Sequence, residues 1–279
     1  MMENINVNKN EVKVSNKERR RSFAKVANER VGQTVMQNCG EIAYIVEYVD
    51  SKNITVQFKK TGELVKCAYN TFVKGKVKSH FSPTVFGVGI TGLEPTRDEN
   101  GEKFDSYKCW KNMLERCYSA KYQEKNQTYV DCRVCDDWLY YSNFKNWYEA
   151  NYYEIDNKTS QLDKDVLIKG NKIYSPDTCV FTPQFINKLF IKCQNSRGKL
   201  PIGVSYYKTN KKYMASLRVF RNGKSTSKYL GSFDTAEEAF EVYRRAKEDN
   251  IKETADEYKD KIPVELYEAM YNYEVEIND

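Results

Sequence analysis

The chain has 279 residues, enough for two or three small domains, each with its own core. Hydrophobic residues at 40% and charged residues at 30% suit a globular protein with a wet surface, and no apolar run approaches the ~20 residues of a membrane span. The opening MMENINVNKNEVKV lacks the apolar core of a secretion signal, and eight scattered cysteines do not make a secreted disulfide framework, so a cytoplasmic protein with reduced thiols is expected.

Residues 1 to about 16 are polar and without periodicity, a composition expected to be disordered. KERRRSFAKVANERVG follows, with Arg19, Arg20 and Arg21 beside helix formers; residues 1–30 read as a basic arm lying on phosphates or as a solvated leader. From residue 31 to 92 the pattern turns to period two. GQTVMQNCG, EIAYIVEYVD, NITVQFKK and ELVKCAYNTFVKG alternate apolar with polar residues, and Asp50-Ser51-Lys52-Asn53 and Lys60-Thr61-Gly62 read as hairpin loops. Four or five short strands predict a small antiparallel β-barrel of the Tudor-like kind, with nucleic acid and peptide both open as ligands. HFSPTVFGVGITGLEPTRDENG then has Pro and Gly at the spacing of a linker.

In the middle segment, Trp110, Met113, Leu114 and Cys117 follow i, i+3, i+4, i+7 spacing and predict an amphipathic helix. WLYYSNFKNWYEANY predicts a second, with Trp138, Phe144, Trp147 and Tyr148 toward a core. QLDKDVLIKGNKIYSPDTCVFTPQFINKLF reads as strand, Gly-Asn turn, loop, short strand and short helix, with Pro183 at the helix start. In the last segment GVSYY, KYMASLRVF and KYLGSFD predict three strands, with Asn222-Gly223 as a hairpin turn. Thr235 and Glu238 form a capping-box pair ahead of a helix that turns Ala239, Phe240, Val242, Tyr243 and Ala246 to the sheet. VELYEAMYNY, within residues 259–279, is a further short acidic helix. The expected fold class is α+β.

Charge is unevenly spread. From Arg197 to Ser232 the chain carries Arg197, Lys199, Lys208, Lys211, Lys212, Arg218, Arg221, Lys224 and Lys228 and no Asp or Glu, whereas acids dominate from Asp234 onward. These cations are expected to line a common surface for a polyanion, with a merely solvated basic sheet as the rival reading. Tyrosine is abundant, at 22 residues against the single His80; it suits thin cores and nucleic-acid faces, although AT-rich coding produces the same bias.

Residues 198–258 resemble the DNA-binding domain of plant ethylene-response factors, also found in phage and mobile-element endonucleases. The resemblance is carried by Gly203-Val204, Lys212-Tyr213-Met214-Ala215, Tyr229 to Thr235, Glu237-Glu238-Ala239 and Tyr243 to Ala246, over about 55 residues. It implies double-stranded DNA as partner and Tyr206, Lys208, Lys211, Lys212, Arg218, Arg221 and Lys228 as contacts. Residues 105–193 resemble the HNH, or ββα-metal, endonucleases of phages and homing elements. The matching residues are Trp110, Met113, Arg116-Cys117, Val134-Cys135, Trp138, Asn143-Phe144, Trp147, Leu162 to Asp165, Asn171, Tyr174 to Pro176, Cys179 and Gln184 to Asn187. The resemblance implies a divalent metal held by Asp163 and Asn187, and oxygen ligands suit magnesium or manganese. Lys164 stands where the family places its general-base histidine and Thr178 where it places an orienting asparagine; the base is then either Asp165 or a metal-bound water, and the sequence does not choose between them.

Cys132-Arg133-Val134-Cys135 is a lone CxxC; Cys109 and Cys117 do not complete a trusted zinc spacing, so zinc is not expected. Gly87-Val88-Gly89 lacks the third glycine of a phosphate loop. Three functions follow as expectations: a phage or mobile-element DNA endonuclease with an altered centre, a non-catalytic DNA-binding regulator of the same build, or an interaction protein that binds a host protein.

Overall fold

The computed structural model describes residues 24–191, 200–221 and 224–277, without the side chains of 220, 221, 224 and 225. The residues before 24, Arg197, Lys199 and the Asn222-Gly223 turn therefore lie outside the described residues. The protein is mixed α+β and divides into two compact units. One comprises Met1–Ser119 with Leu139–Asn143, the other Ala120–Trp138 with Phe144–Asp279.

In the first unit, α1 is helical over the described residues 24–30. Strands β1 (Thr34–Met36), β2 (Ile42–Tyr48), β3 (Ile54–Phe58) and β4 (Leu64–Cys67) then form an antiparallel sheet in the order β1-β2-β3-β4. Alternation does the work expected of it: Ala43, Ile45, Ile54, Val56 and Phe58 turn inward onto one core. The Asp50 carboxylate closes the first hairpin by accepting from the Lys52 and Asn53 N–H groups at 2.6 and 2.9 Å. The strand expected through ELVKCAYNTFVKG stops at Cys67. Tyr69–Val73 is instead a short helix, α2, because Phe72 must turn inward to fill the core. Among the described residues no pairing joins β1 to β4.

The Pro/Gly-rich stretch after residue 80 packs within this unit instead of running free. Gly89 lies so close to helix α3 (Asp105–Tyr118) that a Cβ there would sit 2.4 Å from a methyl of Leu114. Trp110, Met113, Leu114 and Cys117 are the buried stripe of α3, as their spacing requires.

The second unit contains α4 (Ala120–Lys125), β5 (Arg133–Val134) and most of α5 (Tyr141–Asn151). Strand β6 (Ser160–Asp163) pairs antiparallel with β8 (Val180–Pro183), and β7 (Ile173–Tyr174) pairs parallel with β5. Short helix α6 (Gln184–Asn187) follows β8 directly, with Pro183 at its N-cap. Trp138, Phe144, Trp147, Tyr148 and Phe181 form a continuous aromatic cluster, with neighbouring centroids 4.6 to 6.2 Å apart.

Strands β9 (Val204–Tyr207), β10 (Lys212–Arg221) and β11 (Lys224–Phe233) make an antiparallel sheet in the order β11-β10-β9. Helix α7 (Ala236–Tyr258) starts at a complete capping box: Thr235 accepts from the Glu238 N–H, and the Glu238 carboxylate accepts from the Thr235 N–H. The first half of α7 packs Ala239, Phe240 and Tyr243 on Val204, Ala215 and Leu217. The second half carries Ile251 and Ala255 into a different core with Val180, Ile186, Leu189 and, from helix α8 (Val264–Tyr271), Leu266 and Met270. The segment expected to end one domain therefore also builds the next, because α7 runs 23 residues without a glycine or proline to stop it. Tyr273 packs against both cores.

Candidate nucleic-acid interface and candidate metal centre

Register settles which face of the C-terminal sheet is free. Tyr213, Ala215, Leu217 and Val219 of β10 turn toward α7, so Lys212, Met214, Ser216 and Arg218 form the outer face of that strand. Directly paired residues share a face, which adds Ser205 and Tyr207 from β9 and Ser227, Tyr229 and Ser232 from β11. Lys212 and Arg218 thus lie together on the outer face, with Lys212 also ion-paired to Asp234 at the end of β11.

The remaining expected contacts divide. Lys208 and Lys211 are exposed in the β9–β10 turn, with Lys211 in a left-handed conformation at φ 54°. Tyr206 pairs with Tyr213 on the helix-side face, ring centroids 5.0 Å apart. Lys228 pairs with Leu217 on that same helix side yet is exposed. The side chain of Arg221 lies outside the described residues. A single cationic surface is therefore corrected to two: Lys212 and Arg218 on one face, Lys228 on the other. The cause is a β-bulge between Ala215 and Ser216, where Leu230 has no partner and the parity of β11 flips.

The expected metal centre lies where β6 meets β8 and α6, an antiparallel pair followed by a short helix. Asp163 ends β6. Its Oδ1 accepts from the backbone N–H groups of Asp165 and Val166, each at 2.9 Å. Burial, followed by the neighbouring Asp165 carboxylate, pushes the Asp163 carboxyl up to about 6. A half-enclosed carboxylate beside a second one fits a hard divalent cation, which would remove the repulsion between them. Among the described residues no three His, Cys, Asp or Glu side chains gather, so water or a phosphate oxygen would complete such a shell. The Asn187 side chain is engaged by Gln161 instead of Asp163: its Nδ2 donates to Gln161 Oε1 at 3.2 Å, two residues back along β6.

Lys164 is 7% exposed, and its ammonium donates to Asp165 Oδ2 at 3.1 Å and to the Asn171 carbonyl at 2.8 Å. An ammonium engaged as a donor on two sides acts as a staple for the loop, not as a proton acceptor. Asn171 is the residue that orients this loop. Its Nδ2 donates to the carbonyls of Lys164 and Ile173, each at 2.6 Å, while its Oδ1 accepts from the Ile173 N–H. Sequence reasoning assigned that role to position 178. There Thr178 donates its hydroxyl to the Ile173 carbonyl at 2.8 Å and bonds Ser175 at 2.9 Å, so it closes the same loop from the other side. The Gly170-Asn171 turn was the available signal.

Among the described residues Cys117, Cys132 and Cys179 are buried, and Cys39, Cys67, Cys109 and Cys135 are half-buried. Burial pushes Cys109 and Cys179 up to about 12 and raises Cys135 as well. No family model, no curated protein and no solved structure matches this chain.

Proposed function

We propose that this chain is a DNA-binding protein of the phage or mobile-element HNH class, which holds duplex DNA with its C-terminal sheet module. The observation that carries the reading is the module's charge. From residue 204 to 233 there is no carboxylate, while Lys208, Lys211, Lys212, Arg218 and Lys228 stand around a small sheet with Tyr206, Tyr207 and Tyr229 partly open to solvent. Lysines and arginines on a sheet element neutralise phosphates and read base edges, and exposed tyrosines add stacking and hydroxyl contacts. The helix behind the sheet holds these side chains in fixed register. In finer detail, the N-terminal sheet is read as part of a Tudor-like barrel, and β6, β8 and α6 as a ββα-metal motif.

Magnesium or manganese would be held at Asp163 with Asp165, and when bound would stabilise charge on a scissile phosphate. The chain's own residues position that pair. Backbone donors of Asp165 and Val166 fix Asp163, the Lys164 ammonium fixes Asp165, and Asn171 fixes the Lys164 carbonyl. The position that the family gives to a base is filled by a donor-only group, which favours a second reading: a regulator that binds DNA on this framework without cutting it.

Two assays separate these. Gel shifts with duplex DNA should show binding that the triple variant Lys208→Ala, Lys211→Ala, Lys212→Ala weakens; unchanged binding would refute the interface. Plasmid incubated with the full chain and magnesium or manganese should be nicked by wild type and not by Asp163→Ala if the centre is catalytic. Intact plasmid with retained DNA binding selects the regulator.

A further inference from the structure

We propose that the N-terminal unit carries a second contact for the DNA backbone: the lysine strip Lys74, Lys76 and Lys78, which crosses one end of its sheet. This rests on the DNA-binding reading above and adds to it a phosphate-binding element on the other compact unit. The strip follows α2. Gly75, at φ 68°, ends that helix, and the chain then runs on to residue 79 without helix or strand. Exposure alternates along it: Lys74, Lys76 and Lys78 are exposed, whereas Gly75, Val77 and Ser79 are buried. In an extended chain, residues two apart stand on one side about 6.6 Å from each other. The stems of Lys76 and Lys78 are thus spaced much as successive phosphates are along one nucleic-acid strand.

Internal bonds hold the strip in place. The Gly75 carbonyl accepts from the Asn38 N–H at 2.7 Å, and the Val77 N–H donates to Gln37 Oε1 at 3.0 Å. Gln37 is buried, and its amide also donates to the Phe72 carbonyl, so one side chain ties the strip to α2 and to the end of β1. Further along, Ser79 Oγ and the His80 N–H donate to Glu63 Oε2 at 2.7 and 2.9 Å, and Ser82 Oγ donates to Glu41 Oε2 at 2.8 Å. Gln37 and Asn38 follow β1, and Glu63 precedes β4, so the strip spans the sheet from its first hairpin to its last. Much of its backbone hydrogen bonding is spent inside the unit. A partner therefore meets mainly its side chains.

Charge at this end is one-sided. The two acids that clamp the strip turn inward. Glu41 is 6% exposed and also accepts from the Lys60 and Thr61 N–H groups. The Glu63 side chain is 7% exposed and is taken up by Ser79 and His80. Neither carboxylate is left to screen the lysines. Lys59 and Lys60, in the turn between β3 and β4 that Glu41 holds, are exposed at the same end of the sheet. Among the described residues none of Lys74, Lys76 and Lys78 is ion-paired. Repeated like charge with its counter-charge buried favours a regularly repeated anion over a protein surface of mixed sign. Lysines are point charges without a planar fork, so they neutralise phosphates and do not read bases. A second such element on one chain makes the second contact intramolecular and raises affinity without adding sequence preference.

The test is fluorescence anisotropy of the full chain on several duplexes over a salt series, with Lys74, Lys76 and Lys78 replaced together by Gln or together by Arg. All three side chains are exposed, so folding is retained and circular dichroism checks it. The Gln variant should weaken every duplex alike, by about tenfold, and make the log–log salt slope shallower by roughly 2–3; the Arg variant should bind as wild type does. Amine acylation read by mass spectrometry gives the contact directly. Duplex should protect Lys74, Lys76 and Lys78 but not Lys52, which is exposed in the hairpin loop at the other end of the sheet. A silent Gln variant, beside a C-terminal triple variant that does lose binding, overturns the strip and leaves the DNA-binding reading standing. Equal losses in the Gln and Arg variants overturn it too, since the lysines would then act through structure. Protection by polyglutamate and not by duplex overturns it in favour of an acidic protein partner. Wild-type protein that binds no duplex at all overturns both the strip and the DNA-binding reading.

Discussion

Replacing Gly203 by alanine probes the joint between the recognition sheet and α7. Gly203 has φ 75°, a conformation that costs an L-residue about 1–2 kcal/mol. An added Cβ would also lie 2.0 Å from Cδ2 and 2.2 Å from Cε2 of Tyr243, a ring only 5% exposed and central to the C-terminal core. That ring has nowhere to retreat without moving Phe240 or α7, and overpacking of this kind costs about 1–3 kcal/mol. The loss of chain entropy in the unfolded state returns about 0.4–1 kcal/mol. A net destabilisation of about 3 kcal/mol is expected. Gly170 is the control: its φ is 79°, yet a Cβ there meets nothing within 4 Å, so Gly170→Ala should cost only the backbone share, about 1 kcal/mol. Urea unfolding followed by circular dichroism gives both values, and hydrogen exchange at residues 204–233 localises the effect. If Gly203→Ala costs no more than Gly170→Ala, the close approach of Tyr243 to the sheet is wrong.

Four further outcomes are expected. Asp163 binds its proton more tightly when folded, up to about 6 against 3.8 for an ordinary aspartate, so stability should fall as pH rises from about 4 through 6; Asp163→Asn should abolish that fall in urea titrations at pH 4.5 and 7. Magnesium added at pH 7 should raise the unfolding midpoint of wild type and not of Asp163→Asn. Asn171→Ala removes two bonds to carbonyls at 2.6 Å and should destabilise by about 2 kcal/mol, with faster hydrogen exchange at residues 164–174. Thr235→Ala breaks the capping box of α7 and should cost about 1 kcal/mol in the same unfolding assay.

Much of the fold was legible because its signals are local. The stripe Trp110, Met113, Leu114, Cys117 needs only helical periodicity, and the Thr235–Glu238 box needs only a capping hydroxyl and a carboxylate three residues on. The misreadings came from longer-range constraints. Tyr69–Val73 sits in an alternating run, yet Phe72 fills a core whose other walls are β2 and β3, and packing overrides the pattern. The second role of α7 depends on Ile251 and Ala255 meeting Val180 and Leu266, contacts invisible along the chain.

The candidate sites behaved similarly. Lys228 was grouped with Arg218 by proximity in sequence, but one unpaired residue, Leu230, places them on opposite faces. Side-chain period is two, so a single bulge is enough to reverse every assignment beyond it. Asp163, Lys164 and Asp165 were legible as a group; that Lys164 staples the loop and Asn171 orients it required the folded loop between β6 and β7.

The most direct measurement is the dissociation constant of the intact chain for a duplex oligonucleotide, taken between 50 mM and 200 mM salt. With four or five phosphates met by Lys208, Lys211, Lys212, Arg218 and Lys228, log affinity should fall against log salt with a slope of roughly −4 from those contacts alone. A slope near zero, or no measurable affinity at the lowest salt, contradicts a polyanion-binding module.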